Sequence, residues 1–452
     1  MNKLLANKYV WILAILLGLN IPLNMIEGQI EERSAQREVA RQSVRQSWTG
    51  EQQILAAVMV IPFQKKLGQS LSNSNSNSNA NPDSGGVSPK KYKWVESTRY
   101  LVAETLKINA TIKNQALAKG IYSVPVYTAE VTMNGHFDLS TLKQLQQDKS
   151  IRLNGKPYIS VGIKDSRGII GVPTLNLGEQ AVAVNPGSRL GFYSAGFNAA
   201  VDTEFFVSQK LLFDARVRLN GMETLSFLTG SKDSMVELSS DWPHPQFIGA
   251  FLPVSRDISN QGYRARWQTG LFSTNVIVNL KKCASGDCSA LKNGSFGVQH
   301  IQPVDIYLQT LRAIKYGMLV VLVTFSLFVL FEIISQQLSV HPISYFLTGV
   351  ALAIFFLLLV ALSEHIAFYL AYWLASFCCA SVIAFYVAGQ SGRVAFGAYM
   401  LSLLMVFYAI LFFIIRSEDH ALLAGSLLLF FLLAAVMFIT RKLDWFRVLG
   451  AE

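Results

Sequence analysis

The stretch ISYFLTGVALAIFFLLLVALSEHIAFYLAYWLASFCCASVIAFYVA (343–388) decides the fold. It holds two apolar runs, 343–363 and 366–388, parted only by Glu364-His365. Each run is roughly 20 residues, about 30 Å as a helix, the depth of a bilayer's hydrocarbon core. Two further runs, 394–415 and 421–440, follow across the polar joints 389–393 and 416–420. Another, 316–331, precedes them within a span read as 312–333. No Asp, Glu, Lys or Arg lies inside any of these runs. A helix of a soluble core would show a polar face. The C-terminal third therefore reads as five membrane-spanning helices in a lipid bilayer.

The N-terminus adds a sixth. Lys3 and Lys8 precede an apolar stretch over 9–26. The stretch is long for the core of a signal peptide and no A-x-A-like cleavage site follows it, so a retained span is expected. Pro22 is expected to kink it near its outer end. Cationic residues flank the cytoplasmic ends of spans. Lys3 and Lys8 place residues 1–8 in the cytoplasm, and six spans return residues 441–452, with Arg441, Lys442 and Arg447, to the same side. Arg393, on the joint between the fourth and fifth spans, falls there too.

Residues 27–311 then form one large translocated domain. Across all 452 residues only 15% are charged, against about 25% in soluble domains, but this middle part reads as ordinary soluble protein. The net charge of +10 contains no Lys/Arg-rich block, so nucleic-acid binding is not indicated. Residues 27–48 read as a helix continuing out of the first span, and 52–63 as a buried strand. Residues 70–91, which alternate Ser with Asn, read as a disordered surface loop. Alternating or β-branched patterns then mark strands over 92–112, 124–139, 150–163, 181–184, 205–219 and 235–239. Asn-Gly pairs at 134–135, 154–155 and 220–221 are hairpin-turn signals, because a type I′ turn needs φ > 0 at both central residues. VTMNGHFDL (131–139) and VRLNGMETL (217–225) resemble each other and hint at two related β units. The expected class is an α+β membrane protein, with six transmembrane helices and a sandwich-like β domain. In DWPHPQF (241–247) two prolines indicate an ordered loop instead of a central strand, with Trp242 and Phe247 capping the β core.

The chain resembles the CreD family of bacterial inner-membrane proteins, also called cell envelope integrity proteins. The resemblance is carried by RQSWTGEQ (45–52), GIYSVPVYTAEV (120–131), DWPHPQFIGAFLP (241–253) and PVDIYLQTLRAIKYG (303–317). It continues through 330–372 and closes with SEDHALLAGSLLLFFLLAAVMFITRKLDW (417–445); 70–91 and 281–299 stand outside it as insertions. It implies a multi-pass protein of the inner membrane, the β domain in the periplasm, and a role in envelope integrity linked to a two-component regulatory system. It implies no catalytic reaction and no cofactor.

Several residue groups invite a chemical reading. Glu364-His365 and Glu418-Asp419-His420 occupy two joints expected on the periplasmic face. Three carboxylates and two imidazoles there can bind a metal or relay a proton, or merely cap helices at the interface. No metal set of three or four ligands is identifiable from spacing. Glu332 ends the second span close to His341-Pro342, where a bond across the joint would be structural. Cys283 and Cys288 suit a disulfide closing a small loop in an oxidising compartment, with a redox or metal role as the alternative. Cys378 and Cys379 read as packing residues. Ser376, Ala380, Ala384 and Ala388 recur every four residues, a stripe that lets a neighbouring helix approach, and Ala375 widens it.

Phosphate-loop, metalloprotease and nucleophile-elbow motifs are missing from the sequence. No charge stands near a span's midplane, where an ion-coupled transporter needs one. The expectation is a protein that is not an enzyme, engaging periplasmic or cell-wall components through its β domain. The alternative is a membrane-embedded enzyme or lipid-handling protein built on the acidic and His joints.

Overall fold

In the computed structural model, residues 2–68, 92–206, 208–301, 306–335, 340–416 and 421–441 are described. The expected loop 70–91 and the tail beyond Arg441 lie outside them. The chain divides into two compact units, Met1–Val39 with Val304–Glu452, and Ala40–Pro303. It opens with helices α1 (Asn2–Gly18) and α2 (Asn20–Ser47). Their junction has a local cause. Pro22 brings no N–H, and its ring crowds the carbonyl four residues back, at Gly18. The helical path still resumes, since Leu23 N donates to Leu19 O at 3.3 Å.

The second unit is β-rich. Its strands are β1 (Gln52–Gly68), β2 (Tyr92–Lys119), β3 (Tyr122–Asp138), β4 (Ile151–Leu153), β5 (Tyr158–Ile163), β6 (Ile169–Leu177), β7 (Gln180–Val182) and β8 (Asn185–Pro186). They continue with β9 (Gly196–Ala200), β10 (Lys210–Met222), β11 (Thr224–Leu228), β12 (Ser231–Ser240), β13 (Pro245–Gly249), β14 (Ser255–Ser259), β15 (Gly262–Gly270) and β16 (Phe296–His300). Short helices α3 (Ser140–Gln147), α4 (Leu271–Thr274), α5 (Val276–Ala284) and α6 (Ser289–Asn293) punctuate them.

The expected two-layer sandwich is instead one connected sheet, with the path β13-β16-β11-β1-β2-β3-β10-β6-β7 and side branches on β1 and β2. The long strand β2 explains this. Residues 92–102 pair with β1, and 105–119 pair with β3, so one strand belongs to both halves. Its second half alternates cleanly, Leu106, Ile108, Ala110 and Ile112 inward and Lys107 and Lys113 outward, the signature of one wet face. β1 instead is buried on both faces, which is why 52–63 is a nearly unbroken apolar run. Ile54, Met59 and Ile61 join the main core with Tyr127, Phe137 and Trp267. Leu55, Val58 and Val60 meet Leu280, Cys283 and Leu291 of α5 and α6.

Two of the three Asn-Gly pairs are not turns. Asn134-Gly135 lies inside β3 and Asn220-Gly221 inside β10. Only Gly155 has the left-handed backbone, φ 110°. What Gly135 and Gly221 provide is the absence of a side chain. A Cβ on Gly135 would stand 2.9 Å from the Phe213 ring, and one on Gly221 2.1 Å from that of Tyr127. β3 and β10 are antiparallel partners, with Val131 opposite Val217, Phe213 opposite Gly135 and Tyr127 opposite Gly221. The two similar segments thus face each other about a local dyad, each lending an aromatic to the other's glycine. The DWPHP stretch leads into the edge strand β13, whose first residue is Pro245, a position where a missing N–H costs no ladder bond. Trp242 and Phe247 pack on the main core, and Trp242 Nε1 donates to Ile301 O at 2.9 Å.

The first unit adds α7 (Ile306–Lys315), α8 (Gly317–Ser335), α9 (Pro342–Ser363), α10 (Phe368–Ser391), α11 (Val394–Arg416) and α12 (Ala421–Thr440). By length and composition, four helices among the described residues can cross a membrane: Val10–Ser47, Pro342–Ser363, Phe368–Ser391 and Val394–Arg416. The pair α7 and α8, bent by 43°, makes up to a fifth. The span read as 312–333 is therefore broken at Tyr316-Gly317, where a Cβ on Gly317 would stand 3.1 Å from Leu23. Glycine there both weakens the helix and admits the leucine.

Candidate functional site

Charged residues of the first unit gather at two levels of the N-terminal helix pair. At the first level Lys8 donates to both carboxylate oxygens of Glu332, at the end of α8. Glu332 also accepts from Val340 N at 3.3 Å and the Tyr345 hydroxyl at 3.4 Å. Lys8 lies over the Tyr345 ring, 5.8 Å from its centroid. The side chains are only 10% and 18% exposed, so each charge depends on the other: a buried ion left alone costs several kcal/mol. The bond anticipated between Glu332 and His341 is replaced by this pair. His341 caps α9 instead, its Nδ1 accepting from Ile343 N at 3.2 Å, with Pro342 in the first turn where no donor is missed.

At the second level Glu364, the residue capping the C-terminus of α9, accepts from the Tyr307 hydroxyl of α7 at 3.1 Å. Arg33 Nε of α2 stands 3.9 Å from the same oxygen. His365 is exposed beside it and is not drawn in. Glu418, Asp419 and His420 lie outside the described residues. Among the described residues no group of three or more His, Cys, Asp or Glu could hold a metal ion. Between the two levels, glycines seat the N-terminal helices: a Cβ on Gly349 of α9 would stand 2.2 Å from Leu19.

Sequence reasoning singled out Glu364 and Glu332 but not the partners Lys8, Arg33 and Tyr307. Lys8 had a different meaning, as an orientation signal, and Arg33 was one charge among many on a polar helix. The only legible hint was their separation. Lys8 and Arg33 are 25 positions apart on nearly continuous helix, about 37 Å, which slightly exceeds a bilayer core.

The small-residue stripe of α10 is largely buried, with Ser376 and Ala380 at 0% exposure and Ala375 beside them. Ala384 and Ala388 are met by α11: a Cβ on Gly397 would stand 2.6 Å from Ala384 O and 2.8 Å from Ala388 Cβ. One turn away runs a polar file. The Tyr372 hydroxyl donates to Tyr408 O at 2.9 Å, and Cys379 Sγ to Ala351 O at 3.5 Å. Tyr386 and Gln390 converge on Ser344 Oγ at 3.1 and 2.5 Å.

The β unit has its own buried ion pair. Glu223, between β10 and β11, is 8% exposed at its side chain and bonded by Arg41 of α2, with Arg45 at 4.0 Å. Its φ of 62° is unusual for a side-chain-bearing residue, and such backbone persists only where surroundings enforce it. Its carbonyl accepts from His300 N at 2.8 Å. The His300 ring is boxed by Tyr127, Trp242 and Tyr263, and its Nε2 is 3.0 Å from the Tyr263 hydroxyl. Burial disfavours the imidazolium and pushes its pKa down to about 4, against a weaker upward pull from Asp241. Burial likewise pushes the Tyr127 and Tyr263 phenols up. A disulfide joins Cys283 to Cys288 and so ties α5 to α6 against β1.

Apolar helices of bilayer length, ion pairs near their ends and a large β unit define a multi-pass membrane protein with a large β-rich domain. Comparison with known proteins gives the particular family. The profile described as inner membrane protein CreD matches residues 4–446. The chain is 33% identical over 349 residues to the inner membrane protein CreD of Escherichia coli, covering 77% of this chain and 76% of that protein. This chain belongs to the CreD family of inner membrane proteins. Among solved structures, an M1 zinc metallopeptidase from Deinococcus radiodurans aligns over 37% of this chain and 39% of its own, at 8% identity and a TM-score of 0.18. A likeness that slight bears on neither fold nor chemistry.

Proposed function

We propose that this protein maintains the cell envelope by binding and signalling, not by catalysis. In this reading six spans leave both termini in the cytoplasm and present the β unit to the periplasm, where it engages cell-wall or other periplasmic components. The observation that carries it is the pair of ionic levels. Lys8 shares its level with the joint between α8 and α9, and Arg33 shares its level with the joint between α9 and α10. Successive joints on alternating levels, a bilayer's thickness apart, are what a serpentine of spans requires. The cationic bias of Lys3, Lys8, Arg393 and Arg441 supports the same orientation.

Signal transfer inward has a candidate carrier in α2. One helix holds Arg33, paired with Glu364, and Arg41, paired with Glu223 eight residues on. A membrane-embedded enzyme at the outer joint would need Glu364 presented to substrate. Its engagement by Tyr307 and Arg33 supports the binding reading instead.

Reporter fusions test the arrangement: those after Val340 and Arg441 should be active in the cytosol, and one at Asn198 only outside it. Charge reversal tests the function. Arg33→Glu should abolish envelope protection at normal protein level, and adding Glu364→Arg should restore it. Full protection by Arg33→Glu, or an Asn198 fusion active in the cytosol, would overturn the proposal.

A further inference from the structure

The end of the β1–β2 ribbon is unlike the rest of the sheet. From Lys66 to Gly68 and Tyr92 to Trp94 it is only two strands wide among the described residues, with β4 reaching no further than Lys65. Apolar side chains stand in water there: Leu67 is 48% exposed, Tyr92 52% and Val95 39%. Leu67 and Val95 lie on one face of the ribbon and Tyr92 on the other, so both faces of its end carry exposed apolar groups, which marks an interaction surface.

Directly opposed residues share a face of the ribbon, and each face mixes cation with apolar group. On one face Lys66 opposes Trp94, with Lys66 Nζ 4.2 Å from the Tyr92 ring centroid and the Arg152 guanidinium 4.7 Å from that of Trp94. On the other, Lys65 opposes Val95 and Leu67 opposes Lys93. Lys65, Lys66, Lys93 and Arg152 are exposed and form no ion pair among the described residues. The nearby acid on the ribbon, Glu96, is engaged by the Asn154 amide at 3.0 Å.

We propose that this ribbon end is a lipid-contact site that takes the anionic headgroups of a bilayer surface. Trp, Tyr and an aliphatic tip enter the boundary between headgroup and acyl chain, while lysines with apolar stems keep their ammonium groups among the phosphates. A soluble polyanion would use the cations but leave Leu67 and Val95 in water. That apolar content favours the bilayer over a dissolved polymer.

The test uses the full chain in proteoliposomes, with p-benzoylphenylalanine in place of Leu67. Light should crosslink it to lipid in vesicles containing phosphatidylglycerol, at least tenfold more than in pure phosphatidylcholine. Lysines near an anionic surface contribute roughly a fivefold factor each, so Lys65→Gln, Lys66→Gln and Lys93→Gln together should cut the yield about a hundredfold. These exposed changes should leave thermal unfolding unaltered, which separates lost contact from lost fold. The same probe at exposed Val172, on β6, should give background only. Equal yields in the two vesicle types, equal yields at positions 67 and 172, or crosslinks solely to a second copy of the chain would each overturn the proposal.

Discussion

Both units admit a neighbour by omitting a side chain, and both bury a glutamate, yet they do so with different partners. In the helical unit Gly349 and Gly317 receive the tips of Leu19 and Leu23, whose χ angles can still turn. In the β unit Gly135 and Gly221 receive the rings of Phe213 and Tyr127, which have nowhere to go: Tyr127 is fully buried and its hydroxyl donates to Thr224 O at 2.6 Å. The glutamates differ likewise. Glu332 meets a lysine within apolar helices, whereas Glu223 meets arginines and holds its own backbone in the left-handed region. The helical unit tolerates change in shape and depends on charge pairing. The β unit depends on shape.

That contrast can be broken in order of expected effect. Glu332→Ala leaves Lys8 a lone buried cation and should cost about 3–5 kcal/mol of helical-unit stability. Thermal unfolding of the detergent-solubilised chain reads it, and Lys8→Met with Glu332→Met should recover most of the loss. Gly221→Ala drives a methyl into the Tyr127 ring and should cost about 3 kcal/mol, seen as an earlier transition of the β unit with the helical one unmoved. Gly349→Ala meets the branched aliphatic end of Leu19 instead of a ring and should cost about 1 kcal/mol. A larger loss at position 349 than at 221 would reverse the comparison.

Acid provides an independent handle on the β unit. The unfolded His300 imidazole takes its proton near pH 6.5, and the folded one only near pH 4. Across that window the unfolded chain binds more protons, so stability is intact above pH 6.5 and falls as the pH is lowered. The loss by pH 4 is on the order of 2–3 kcal/mol, and His300→Phe should flatten the slope between pH 4 and 6.5 in a urea titration. An unchanged slope would remove His300 from the account.

Much of this architecture was legible early. Runs such as 343–363 offer no polar face to water, and their length matches hydrocarbon. The alternation of Leu106, Ile108, Ala110 and Ile112 announces a strand with one wet face. Asn-Gly misled at two sites of three because glycine has two uses, a positive φ and a missing Cβ, and the dipeptide does not say which. Turn statistics weigh the first. Only the ring of Phe213, 78 positions from Gly135, reveals the second. The candidate site was half legible: Glu364 and Glu332 stood out as charges beside apolar runs, while Lys8 and Arg33 acquired meaning only through partners more than 300 positions away.

Composition and period alone determined that this chain carries apolar helices of bilayer length, and that a β-rich unit separates the first of them from the others. Those properties are local sums, readable over twenty residues or fewer. The tertiary structure decided which glutamate answers which cation, which glycine sits under a ring, and that one long strand serves both halves of the sheet. Pair interactions fall off within a few ångströms, and residues that close are brought together by the folded path, not by their spacing along the chain.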